Sequence, residues 1–157
     1  MAKNWKIRTD LSIEVCGHTL FRIECTQDFK EIKSGTLGGY IEKEENLDGN
    51  AWVFGNAKVS GNAWVFGNAR VSGDAWVCGN ARVSGNAQVY GKAWVYGDAR
   101  VYDDARVSGD ARVYDDARVC GNALVYGDKI TNKDDICYIS NRYYNTYLKH
   151  SIYRLYL

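Results

Sequence analysis

Two histidines and five cysteines are the side chains here best suited to proton transfer, nucleophilic attack or metal binding, and their spacing serves none of these well. His18 and His150 lie near opposite ends, and no histidine occurs within residues 19–149. Cys16, Cys25, Cys78, Cys120 and Cys137 are an odd set without a CxxC pair. A disulfide framework or zinc cluster is therefore not expected, and reduced thiols in a cytoplasmic protein are. No catalytic residue, cofactor or metal is expected. What recurs instead is Arg, Trp and Tyr at intervals of six and eighteen residues. Those intervals point to recognition by a surface, so the elements that carry them come next.

The 157 residues amount to about one domain, 46% apolar (counting Ala, Tyr and Cys) and 25% charged. Twenty Lys and Arg against nineteen Asp and Glu leave a net charge of +1. Such balance argues against a polyanion mimic and gives no bulk field to draw in nucleic acid. The opening Met-Ala-Lys-Asn-Trp-Lys lacks a signal peptide's apolar run, and no stretch approaches the apolar length of a membrane span. No membrane partner is expected. Zero Pro with 16 Gly and 12 Tyr would be strange for a helical bundle.

From Gly49 to Tyr126 the chain is thirteen uninterrupted hexapeptides, beginning GNAWVF, GNAKVS, GNAWVF, GNARVS. Ala fills the third position every time, from Ala51 to Ala123, and Val the fifth, from Val53 to Val125. Gly opens eleven of the thirteen, with Asp103 and Asp115 in the others, and Asn or Asp is second in twelve, Lys92 being the exception. Strand side chains alternate between faces, so Ala and Val share an inner face and the variable positions an outer one. Gly-Asn or Gly-Asp supplies the corner, because both types tolerate the left-handed backbone region. One short strand and one corner per hexamer give a polygonal solenoid. Three hexamers per turn make a triangular prism, with Val on Val and Ala on Ala every 18 residues. Ile41 and Leu47 extend the Val register upstream, so a first imperfect coil starts near Tyr40. About five coils follow, roughly 24 Å long at the ordinary strand spacing.

This register resembles the left-handed parallel β-helix of hexapeptide-repeat proteins, best known from acyltransferases. The usual motif there has an aliphatic residue followed four positions later by a small one, as in Val53 to Ala57. A narrower resemblance covers Asp28 to Ala57, where Phe29, Ile32, Gly35, Gly38, Gly39, Tyr40, Ile41, Asn46 and Leu47 match the entry stretch of bacterial and prophage hexapeptide-repeat proteins often labelled transferases. Asp48 stands where Ser is common. Handedness enters from the resemblance; the period alone does not give it. Together the two cover about residues 28–128. They imply an all-β fold, and the group supplies no defined chemistry to transfer.

The expected organisation is residues 1–39 as hairpin and cap, 40–128 as the β-helix, and 129–157 as a Tyr-rich cap or oligomerisation tail. Leu11, Ile13 and Val15 alternate, Gly17-His18 turns, and Leu20, Phe21, Ile23 and Cys25 return, which reads as a hairpin over 11–25. Asp28 is placed to cap a short helical turn through Lys33. An open coil exposes unpaired backbone, so both ends need covering. After Tyr126 the register is expected to fail, since Lys129 and Thr131 stand where Ala and Val should.

Spacing of 18 sorts the outer positions onto three flats. The first carries Trp52, Arg70, Gln88, Arg106 and Leu124 beside Phe54, Ser72, Tyr90, Ser108 and Tyr126. The second carries Lys58, Trp76, Trp94 and Arg112 beside Ser60, Cys78, Tyr96 and Tyr114; the third carries Trp64, Arg82, Arg100 and Arg118 beside Phe66, Ser84, Tyr102 and Cys120. Trp76, Trp94, Tyr96 and Tyr114 should cluster, as anchors of a binding or self-association surface. The duller account is that aromatic residues suit strands and stack on themselves. Arg82, Arg100 and Arg118 with Tyr102 form a second-choice basic face able to hold phosphates and stack bases. Its duller account is a lattice with Asp98, Asp104, Asp110 and Asp116.

The expected function is that of a non-catalytic, rigid protein-binding or scaffold protein. It would be phage- or prophage-encoded and cytoplasmic, taking a host or phage protein as partner, with inhibition of a host defence protein as one role and a homo-oligomer as another state. A hexapeptide acyltransferase is the first alternative, although such an enzyme calls for a His base near a coil and usually a loop extruded from the prism. A nucleic-acid or nucleotide binder using the Arg face is the second. The uninterrupted repeat lacks Thr, which excludes an ice-binding Thr array.

Overall fold

The computed structural model describes residues 3–127, 129–131 and the strand Asp135–Tyr138. Each hexamer contributes one short strand, and strands eighteen residues apart pair in parallel, Trp52 beside Arg70, Lys58 beside Trp76, Trp64 beside Arg82. The ladder bonds follow one rule: the N–H of Trp52 donates to the Ala69 carbonyl, that of Lys58 to Ala75 and that of Trp64 to Ala81. Three parallel sheets result, one for each flat, and they enclose a prism of about five coils. The Ala and Val columns are buried throughout, from Ala51 and Val53 to Ala123 and Val125. The chain is thus an all-β solenoid, as the period requires.

Corners follow from local chemistry. Gly97 has φ +68°, and a Cβ there would stand 2.9 Å from the Asp115 amide nitrogen of the next coil. The dihedral favours glycine, and the close stacking makes a side chain beneath the next corner costly. Asp103 and Asp115 take the same conformation at φ 60° and 55°. Asp103 offsets part of the strain, since its Oδ2 accepts the Gly121 N–H at 3.1 Å.

The N-terminal segment is built onto the second flat. Strand β1 (Trp5–Val15) and strand β2 (His18–Cys25) form an antiparallel hairpin. It is longer than expected and turns at Cys16-Gly17, both with positive φ, rather than at Gly17-His18. Strand β2 pairs antiparallel with β3 (Leu37–Ile41), which pairs in parallel with the first regular strand of that flat, Tyr40 beside Lys58. Gly39 permits this entry, because a Cβ there would lie 2.5 Å from the Ala57 carbonyl oxygen. Buried Asn46 completes the imperfect first coil. Its Oδ1 accepts the Glu42 and Lys43 amides, and its Nδ2 donates to the Gly61 and Ala63 carbonyls at 3.1 and 2.8 Å. One side chain thereby satisfies four backbone groups where the hexamer is missing.

Three expectations need correction here. Residues 28–33 are not a helical turn: Phe29 and Ile32 bridge each other, Lys30 has φ 50°, and Asp28 accepts the Ser34 amide six residues on, too far for a helix cap. Trp52 is not on the outer surface. The loop folds over it, setting Phe29 edge-on at 5.5 Å, and leaves it 1% exposed. The register does not end at Tyr126. Lys129–Ile130 joins the second flat with Ile130 beside Val113, and Asp135–Tyr138 joins the third with Ile136 beside Val119. Both steps are seventeen residues, so one deletion hides a coil that continues. Residues 139–157, most of the expected tail, lie outside the described residues.

Val89→Asp should abolish the cooperative fold, since a carboxylate without a partner in the Val column costs at least about 3 kcal/mol. Circular dichroism and thermal melting check this. Asp115→Gly should do the reverse, raising stability by about 1 kcal/mol in denaturant melts by relieving the positive φ.

Candidate functional site

The alternation of strands places Trp76, Trp94, Tyr96 and Tyr114 together, as the 18-residue spacing predicts. Trp76 and Trp94 occupy adjacent rungs of the second flat and meet edge to face at 5.3 Å. Trp94 in turn contacts Tyr96 at 6.3 Å, and Tyr96 stacks on Tyr114 at 5.1 Å with planes 5° apart. The cluster is held rather than merely adjacent. The Trp76 indole N–H donates to Ser60 Oγ at 3.0 Å, which fixes its ring. Arg112 lies 5.5 Å from the Trp94 ring centre, a cation over the ring. Trp94 is 40% exposed in the midst of these contacts. Burial, with Tyr114 beside it, holds the Tyr96 hydroxyl above its ordinary pKa, so it stays a neutral donor. The outward strand positions of this flat run Tyr40, Lys58, Trp76, Trp94, Arg112 and Lys129, which are aromatic or cationic without exception.

Arg82, Arg100 and Arg118 likewise stack in register on the third flat, with Tyr102 half-buried in the next column. The expected Arg–Asp lattice is not formed. Among the described residues these three arginines make no ion pair; two of the corner acids accept amides of the coil before them, Asn80 Nδ2 donating to Asp98 Oδ1 and Asn86 Nδ2 to Asp104 Oδ1, each at 3.0 Å. These corner amides were missed in the sequence, although their 18-residue spacing was the available signal. A hollow of about 300 Å³ remains between Asn62, Asn80, Arg82, Asp98 and Arg100.

His18 does not stand alone in its turn. Its Nδ1 lies 2.9 Å from Glu42 Oε1, while Glu42 Oε2 accepts the Gly61 amide. Partial burial opposes ionisation of Glu42, but the His18 and Gly61 hydrogen bonds outweigh it and hold the carboxyl below its ordinary pKa. The trio ties the hairpin tip to the first coil. Cys78, half-buried on the second flat, has its thiol pushed up to about 11 chiefly by burial, so it is not a thiolate at neutral pH. Cys120 is disulfide-bonded, which corrects the expectation of five reduced thiols, and the ladder sets Cys137 beside it. Cys16, Cys25 and Cys78 are free. His150 lies outside the described residues.

With this geometry in view, the comparison with known proteins is informative for the coils. The family model of the YdcK beta solenoid repeat matches residues 63–79, 75–91, 93–109, 99–115, 105–120 and 117–130. The chain is therefore a β-solenoid repeat protein, and the match lies on the stretch that carries both outward columns. No curated protein matches the sequence. Among the described residues no helix is long and apolar enough to cross a membrane.

The Glu42 anchor has a pH signature. Because its folded pKa is depressed, its contribution is fully present above the ordinary carboxylate pKa and is lost as pH falls through the lower, folded value. Glu42→Gln should cost about 1 kcal/mol near neutral pH. The gap to the parent should narrow as pH falls below the ordinary carboxylate pKa and close only below the depressed folded value. Denaturant melts across this range check both points.

Proposed function

We propose that the protein is a non-catalytic binding or scaffold protein whose second flat, centred on Trp76, Trp94, Tyr96 and Tyr114, docks a partner protein. The observation that carries this is Trp94, 40% exposed at the middle of a fixed aromatic cluster with Arg112 over its ring. Aromatic and Arg side chains of this kind are the usual anchors of interfaces. The ladder holds them in place before binding, so little ordering entropy is lost on contact. Charge favours a foreign partner over a second copy. A two-fold pairing centred between Trp76 and Trp94 would set Lys58 against Arg112, whereas an acidic partner would meet cations at both ends of the aromatic patch.

The finer reading is that the protein is phage- or prophage-encoded, acts in the cytoplasm, and blocks or sequesters a host protein, including one of host defence. Its support is the resemblance of the stretch from Phe29 to Leu47 to prophage hexapeptide-repeat proteins. Trp76→Ala combined with Trp94→Ala should leave circular dichroism unchanged, since both rings lie outside the Val and Ala columns. Capture of the partner from host lysate should be lost. Unchanged capture, with unchanged mass by light scattering, would refute the docking role of this flat.

Acyl transfer is the competing reading, because hexapeptide solenoids are best known for it. The pairing of His18 with Glu42 resembles an oriented general base, yet it occupies the hairpin tip and also binds the Gly61 amide. Acetyl-CoA with a broad acceptor panel should give no turnover. Turnover lost on His18→Ala with the fold intact would establish the enzyme instead.

A further inference from the structure

We propose that the hollow between Arg82 and Arg100 on the third flat binds a phosphorylated small molecule of about sugar-phosphate size, its phosphoryl group gripped by the two guanidinium groups. This site lies on a different flat from the aromatic patch and does not depend on its role.

The first support is an arrangement that the fold alone does not favour. Arg82 and Arg100 are directly opposite on adjacent parallel strands, about 4.8 Å apart along the stack. Like charges directly opposite destabilise a sheet. The outward position imposes no such choice, since it holds Trp64 one coil earlier and Gln88 on the first flat. Both guanidinium groups are exposed, and among the described residues neither makes a hydrogen bond or an ion pair. The nearest corner acid, Asp98, makes no ion pair with either guanidinium among the described residues, and its Oδ1 accepts the Asn80 amide at 3.0 Å. Two planar forks on adjacent rungs, without a partner among the described residues, can meet the oxygens of a phosphoryl group, which accepts such forks bidentately.

The second support is the wall beside them. Lys43 Nζ donates to Asn62 Oδ1 at 2.9 Å, Asn62 Nδ2 points to Asn80 Oδ1 at 3.4 Å, and Asn80 Nδ2 donates to Asp98 Oδ1. Each amide is oriented by the one before it, so the polar edge is built before a ligand arrives. Asp98 itself lines the hollow, so its carboxylate is an acceptor beside the two guanidinium groups. An acceptor next to two anion-binding forks selects a ligand with hydroxyl donors beside its phosphate and disfavours a bare inorganic anion. The volume, about 300 Å³, is at the lower end of small-ligand sites and suits that size.

Ribose 5-phosphate, inorganic phosphate and an oligothymidylate serve as probes on the full chain, at matched ionic strength, with binding followed by calorimetry and by NMR of the arginine side-chain N–H groups. Ribose 5-phosphate should give a saturable isotherm, shift the Arg82 and Arg100 resonances, and bind at least about tenfold more tightly than inorganic phosphate. Arg82→Gln with Arg100→Gln should weaken it at least about tenfold with unchanged circular dichroism. Lys92→Gln, which removes a cation from a different corner, should leave affinity unchanged. Asp98→Asn should narrow the preference for ribose 5-phosphate over inorganic phosphate. No saturable binding of ribose 5-phosphate, undiminished affinity in the double variant, or binding of the oligothymidylate alone would overturn the assignment.

Discussion

Every other feature of this protein depends on the eighteen-residue register between successive coils. A slip by one residue would turn a Val column outward, because strand side chains alternate. The register is kept by the ladder itself: the amides of Arg70, Gln88 and Arg106 donate in turn to the carbonyls of Ala87, Ala105 and Ala123. It is also kept by the corners, where Gly97 leaves no room for a side chain beneath Asp115. Once these are set, the outward residues are free to vary, and this chain spends that freedom on aromatic and basic columns. The single deletion between Val113 and Ile130 shows the limit. The strand step survives it because Ile130 still reaches the inner face.

The corners add a second, polar order. Lys43 begins one file that runs through Asn62 and Asn80 to Asp98, and Lys30 begins another through Asn68 and Asn86 to Asp104. An amide both donates and accepts, so it can occupy any rung, whereas a carboxylate only accepts. The sequence has Asn at the first corners of these two files and Asp at 98, 104 and 116, with Asn122 returning above Asp104. In both runs a cation leads through amides to a carboxylate, and no repeat arginine takes part.

The coils were legible because their signal is redundant: Ala and Val recur without a break, and one period accounts for both. The aromatic cluster was legible for the same reason, as spacing alone puts Trp76 beside Trp94. Three other features were not. Trp52 looked outward by register, but its cover is Phe29, whose loop has no period to read. The continuation through Ile130 was hidden because a fixed six-residue frame cannot absorb a missing residue. The Arg–Asp lattice is not formed among the described residues, and proximity in sequence did not reveal that Asp98 and Asp104 accept amides of the neighbouring coil. Asn46 was visible as part of a resemblance, while its work as a four-bond staple needs the coordinates of two coils.

The proposed recognition depends on backbone rigidity, since the proposed anchors gain their order from the rungs that carry them. Residue-resolved amide hydrogen exchange tests that most directly. The Trp76 and Trp94 amides, bonded to the Ala93 and Ala111 carbonyls at 2.9 and 2.8 Å, should exchange only through global unfolding, with the same free energy as the Val89 amide in the centre of the prism. Exchange of the two tryptophan amides through local opening, several kcal/mol below the global value, would contradict a preorganised face.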